Sequence, residues 1–137
     1  MSYYINCHGT VITKPLTPED IASLKARIEE ELKYKVNDLV DLCEDPYLCE
    51  DVQCEESAGN KIFEFVFSSY SSLDTDYLET FLMLMKPYTE DGEIECDGEG
   101  GEMWRYMFHE DGWHVEEGIV SYVPGPVLTP KKIKTLS

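Results

Sequence analysis

Residues 3–32 read YYINCHGTVITKPLTPEDIASLKARIEEEL, and two periodicities meet in them. Residues 3–12 are rich in β-branched and aromatic side chains and predict a strand, with Ile5, Cys7 and Val11 on one face and Asn6, His8 and Thr10 on the other. Helix signals follow at once. Thr17 has the chemistry of an N-cap and Pro18 fits the first helical position. Glu19 and Asp20 place negative charge where the helix dipole favours it. Leu16 and Ile21 have the spacing of a hydrophobic staple. Ile21, Leu24, Ile28 and Leu32 then recur at steps of three and four, so one apolar stripe runs to about Leu32. A strand that must bury one face, followed by a helix that must bury one stripe, predicts a mixed two-layer fold.

The rest of the chain repeats this grammar. Residues 34–43 (YKVNDLVDLC) suit either a strand or a helical continuation, and residues 41–59 are expected to be an acidic, cysteine-containing loop. Lys61–Phe67 reads as a short buried strand. Asp74 is the expected cap of a second helix carrying Tyr77, Leu78, Phe81, Leu82, Leu84 and Met85, which Pro87 ends. The last third predicts a β-meander: residues 92–96, then 103–109 and 113–122 joined at Asp111-Gly112, a dipeptide suited to a type I′ hairpin. A two-residue turn there sets Glu110 opposite Trp113 and His109 opposite His114. Trp104, Tyr106, Phe108, Val115 and Ile119 are then expected to face inward. The expectation is an α+β fold with both helices on one face of an antiparallel sheet, a ferredoxin-like βαββαβ unit plus a C-terminal β-hairpin. Residues 1–123 are expected to form one domain and residues 124–137 an irregular basic arm.

Charge is the most informative functional feature. The 137 residues carry 28 Asp and Glu against 11 Lys and Arg, a net charge of −17. The resulting field repels phosphate and argues against direct binding of nucleic acid or an anionic membrane. The 42% hydrophobic and 12% aromatic content suits a folded core rather than a disordered acidic tail. The acids are gathered: 18 of the 28 fall within residues 41–56 and 90–118, where Arg105 is the sole Lys or Arg. Ordinary solvation accounts for many such stretches. The sharper reading is a surface that enters a basic, nucleic-acid-handling cleft of another protein. Asp41, Glu44, Asp45, Glu50, Asp51, Glu55 and Glu56 would form one patch of it, and Glu93, Asp97, Glu99 and Glu102 another.

Five cysteines without an export signal suit a reducing cytosol. Cys43, Cys49 and Cys54, spaced C-x5-C-x4-C, could hold a structural Zn2+ with His8, Cys7 or Cys96 as fourth ligand; buried or free thiols are the plainer account. No EF-hand loop, nucleophile elbow, Walker A or H-E-x-x-H pattern occurs, and Cys7-His8 points its side chains to opposite faces of a strand. No enzyme activity is expected.

Gly92-x-Ile94-x-Cys96-x-Gly98-Glu99, followed by Trp104-Arg105-Tyr106-x-Phe108 and the Gly112 hairpin, resembles the C-terminal meander of small uncharacterised proteins from Gram-positive bacteria and their phages. Small size, strong acidity and the lack of an active-site motif are also similar to phage-encoded anti-CRISPR proteins, especially inhibitors of Cas9. That resemblance implies a stoichiometric binder of a basic guide- or DNA-handling surface in the host cytosol. Two alternatives stand beside it. One is an immunity-type binding module whose contact is aromatic, around Trp113 and Tyr122, and insensitive to salt. The other is a small carboxylate-dependent hydrolase with a deep cleft and a strongly shifted acid.

Overall fold

The computed structural model describes residues 4–33, 35–43, 48–68, 72–98, 100–118 and 125. The N-terminal motif folds as its periodicities dictate. Strand β1 (Tyr4–Thr13) buries Ile5, Cys7 and Val11, and α1 (Pro18–Leu32) buries Leu24, Ile28 and Leu32. A complete capping box starts the helix: the Asp20 amide donates to the Thr17 hydroxyl oxygen and the Thr17 amide donates to the Asp20 carboxylate, each at 3.1 Å. Thr17→Ala should therefore cost about 1 kcal/mol, read as a fall of roughly 4 °C in melting temperature. Lys33, at φ 65°, ends α1 in the left-handed conformation. Beyond it, residues 35–43 of the ambiguous stretch supply neither strand nor continued helix. A 3-10 turn, Leu39–Cys43, drives Leu39 and Leu42 into the core.

The expected acidic loop is corrected in its second half. Asp51–Ser57 is an edge strand, β2, paired antiparallel with β3 (Asn60–Phe67) through a turn at Ala58 and Gly59, both with positive φ. Local propensity does not favour DVQCEES as a strand; pairing with β3, whose Phe63, Phe65 and Phe67 are buried, supplies what the segment lacks. A short strand β4 (Ser72–Asp74) pairs with the start of β1, and α2 (Thr75–Met85) follows immediately. A 3-10 turn through Pro87 leads into β5 (Thr89–Gly98), which begins three residues before the expected strand. Strands β6 (Met103–His109) and β7 (Gly112–Glu117) complete an antiparallel sheet in the order β2-β3-β1-β5-β6-β7, with β4 beside β1. The expected arm, residues 124–137, lies outside the described residues apart from Gly125.

The hairpin register differs from the expected one. Glu110 and Asp111 form the turn, so Gly112 faces His109 and Trp113 faces Phe108. This alignment puts two aromatic rings in a T-shaped pair with centroids 5.2 Å apart; the expected one would set Trp113 against Glu110. The shift moves partners by two along the ladder, so each residue keeps its face. Val115 nonetheless stays 58% exposed, because β7 lies at the sheet's edge, while Ile119 lies outside the described residues.

One face of the sheet holds the core. Phe81 of α2 meets Phe65 and Phe67 at centroid distances of 5.4 and 6.2 Å. The Tyr77 hydroxyl ties α2 to α1 by donating to the Leu32 carbonyl at 3.0 Å. The Tyr106 hydroxyl ties β6 to α2 through a 2.6 Å bond to Glu79, and burial together with that carboxylate raises its pKa. No described helix is long and apolar enough to cross a membrane.

Candidate functional site: the open face of the sheet

Among the described residues helices cover one face only, and strict strand alternation decides what the other presents. Because Ile94 and Cys96 point into the core, Asp91, Glu93, Glu95 and Asp97 of β5 must point out, and all four are exposed. Register then aligns neighbours beside them. Glu95 lies between His8 and Arg105, and Glu116 stands on the far side of Arg105. Glu64 comes from β3, and Asp51 and Glu55 from β2. Among the described strand residues of this face, Arg105 is the only Lys or Arg.

Arg105 organises its surroundings. Its Nε donates to Glu116 at 2.6 Å and its guanidinium reaches Glu93 at 3.4 Å. The Glu116 hydrogen bond is the main cause of a raised Arg105 pKa. His8 Nε2 lies 3.3 Å from Glu95. All these groups are about half exposed, so solvent screens each pair and it adds little to stability. Like charges on one strand recur every ~6.7 Å in high dielectric, where their repulsion is below about 1 kcal/mol per pair. The fold therefore tolerates the array at small cost.

The sequence patches are redistributed. Asp51, Glu55, Glu93 and Asp97 reach the open face. Glu50 is exposed at the start of β2, and Glu56 is exposed on the helix side of that strand. Asp41 is occupied locally, its carboxylate accepting from the Asn37 and Asp38 amides at 2.9 and 3.1 Å. Glu102 sits before β6 and accepts from the Gly100 amide. Glu44, Asp45 and Glu99 lie outside the described residues. Glu64, Asp91, Glu95 and Glu116 join the face unanticipated. The signal for three of them was an acid at every second position beside buried Ile94 and Cys96 or in the facing strand.

The zinc candidates do not come together as expected. Cys49 is buried with its thiol 3.8 Å from the Leu42 carbonyl, Cys54 is exposed on the helix side of β2, and His8 lies on the opposite face of the sheet. The Cys43 side chain lies outside the described set. Cys7 and Cys96 face each other across β1 and β5 in the core, where burial pushes the Cys7 thiol to about 11 and raises Cys96 as well. Such thiols are poor nucleophiles and poor ligands. Among the described residues no group of three or more His, Cys, Asp or Glu converges as a metal cage. Trp113, the centre of the aromatic alternative, lies against Phe108 and covers Gly92; Tyr122 is outside the described residues.

Comparison with protein-family models, curated proteins and solved structures finds no match.

Proposed function

We propose that this chain is a non-enzymatic binding protein whose acidic sheet face occupies a basic, nucleic-acid-handling surface of another protein, in the manner of anti-CRISPR inhibitors of Cas9. The observation that carries the reading is the gathering of eight carboxylates from four strands onto one face, Asp51, Glu55, Glu64, Asp91, Glu93, Glu95, Asp97 and Glu116, with Arg105 as the only Lys or Arg among the described strand residues of that face. Solvation alone asks only that acids be exposed; it does not ask for an array on a rigid sheet. A rigid array loses little entropy on binding and meets a cationic groove with its charges already placed. An extended polynucleotide backbone presents negative charge at a regular pitch in the same way. We read β1-α1-β2-β3-α2-β5 as a ferredoxin-like unit, which the order β2-β3-β1-β5 supports, with β6–β7 extending the acidic face. A zinc on the 43–54 thiols would stiffen the neighbouring segment, but it would draw the buried Cys49 thiol away from the Leu42 carbonyl and could not include His8; elemental analysis of chain purified without chelator tests it, and a zinc-free chain would remove it.

The test is a titration of the chain against Cas9, alone and loaded with guide and target, over a salt series. Saturable binding that weakens steeply with salt and competes with nucleic acid is expected. Binding indifferent to salt would favour the aromatic alternative. Hydrolysis of a small-molecule ester or phosphate would end the non-enzymatic reading.

A further inference from the structure

We propose that His109 and His114 form a two-imidazole site for one borderline divalent transition cation (Ni2+, Zn2+ or Cu2+), with water completing its coordination. The site is separate from the partner reading above and needs no partner. The register shift that moved the turn to Glu110 and Asp111 makes the two histidines diagonal neighbours on the open face. Their rings lie edge to face, with centroids 4.7 Å apart and planes at 86°. A ligating imidazole nitrogen stands about 2.0–2.1 Å from such a metal, which places the ring centre roughly 3 Å away; two rings sharing an ion at tetrahedral or right angles then have centres roughly 4.5–5 Å apart. The observed separation suits such a pair at the level of the backbone, and because an edge-to-face contact turns one ring's face toward the other, the His109 ring must rotate about χ2 to aim an in-plane nitrogen at the shared ion.

A second observation points the same way. His114 Nε2 lies 2.7 Å from the Asp111 carboxylate. A carboxylate that accepts the hydrogen bond of one ring N–H fixes the tautomer and leaves the other nitrogen, Nδ1, as the lone-pair donor, an arrangement typical of metal-bound histidine. Asp111 is thus a positioning residue rather than a ligand. Both histidines are exposed, so the ion needs no entry path. Lys14 and Lys86 line the depression beside His109, but Glu90 and Glu110 share it, and the net charge of the chain draws cations toward it. Nitrogen ligands select ions of the Ni2+, Cu2+ and Zn2+ group over Ca2+ and Mg2+, which the surrounding carboxylates alone would take.

The experiment is calorimetric titration of Ni2+ into the untagged, chelator-stripped full chain carrying Cys54→Ser, which removes the thiol that is exposed among the described residues. One equivalent should bind. His109→Ala and His114→Ala should each weaken binding at least tenfold, Asp111→Asn should weaken it about tenfold, Asp111→Glu should recover most of it, and His8→Ala should leave it unchanged. All these side chains are exposed, and thermal unfolding will show each variant folded. No binding at a several-fold excess of Ni2+, or equal binding by the histidine variants, would overturn the proposal.

Discussion

Gly9→Ala should destabilise the chain by about 3 kcal/mol or more, the sum of backbone strain and overpacking, and lower its melting temperature by roughly 10 °C. Gly9 lies in the middle of β1, paired with Ile94 on one side and Phe67 on the other. Its φ of +150° is one that side-chain-bearing residues rarely adopt, and a Cβ there would stand 2.0 Å from the Glu93 carbonyl oxygen and 2.8 Å from the Ile94 Cα. These are backbone atoms of the adjoining central strand, so no side chain can turn aside to make room. Relief requires β1 and β5 to part, and Glu93 and Glu95 move with β5. Gly59→Ala is the matched control. It too has positive φ, +83°, but nothing lies within 4 Å of the added carbon, so only the conformational cost of about 1 kcal/mol remains. Chemical denaturation of both variants separates the two contributions. If Gly9→Ala lost no more stability than Gly59→Ala, the close approach of β1 and β5 would be wrong.

That glycine shows where sequence reasoning ran out. Local signals are strong at α1, where cap, proline, dipole and stripe agree, and the helix runs from Pro18 to Leu32 as they imply. They are strong for Phe63, Phe65 and Phe67, and for the helix that packs Phe81 on them. They fail at β2, because DVQCEES becomes a strand only through its neighbour β3, and pairing between segments leaves little mark within either one. The hairpin failed for a related reason. Asp111-Gly112 is good turn chemistry, yet the pairing of Phe108 with Trp113 outweighs it and pulls the turn back by one residue. For the open face, clustering along the chain was the wrong guide. Acids adjacent in sequence divide between opposite faces of a strand, as Glu55 and Glu56 do. Acids two apart, or from strands that meet only in the sheet, come together. Alternation within residues 91–97 already contained that information.

The same distinction gives the most direct test of function. Glu93→Gln, Glu95→Gln and Asp97→Asn together should weaken binding to the basic partner by roughly tenfold to a hundredfold at low salt, since each exposed charge pair is worth up to about 1 kcal/mol. The loss should appear mainly in the association rate and shrink as salt is added, because exposed charges steer encounter more than they hold the complex. Stability should hardly change. The triple variant gives up the ion pairs with Arg105 and His8, but it also relieves repulsion among three acids on one strand. A second triple variant, Glu50→Gln, Glu56→Gln and Glu102→Gln, removes the same charge from positions outside the array. If long-range attraction between a chain of net charge −17 and a cationic protein were all that mattered, the two variants would lose affinity equally. A surface that reads position as well as charge loses it only in the first. Equal losses would reduce the open face to a soluble exterior and remove the basis of the proposed function.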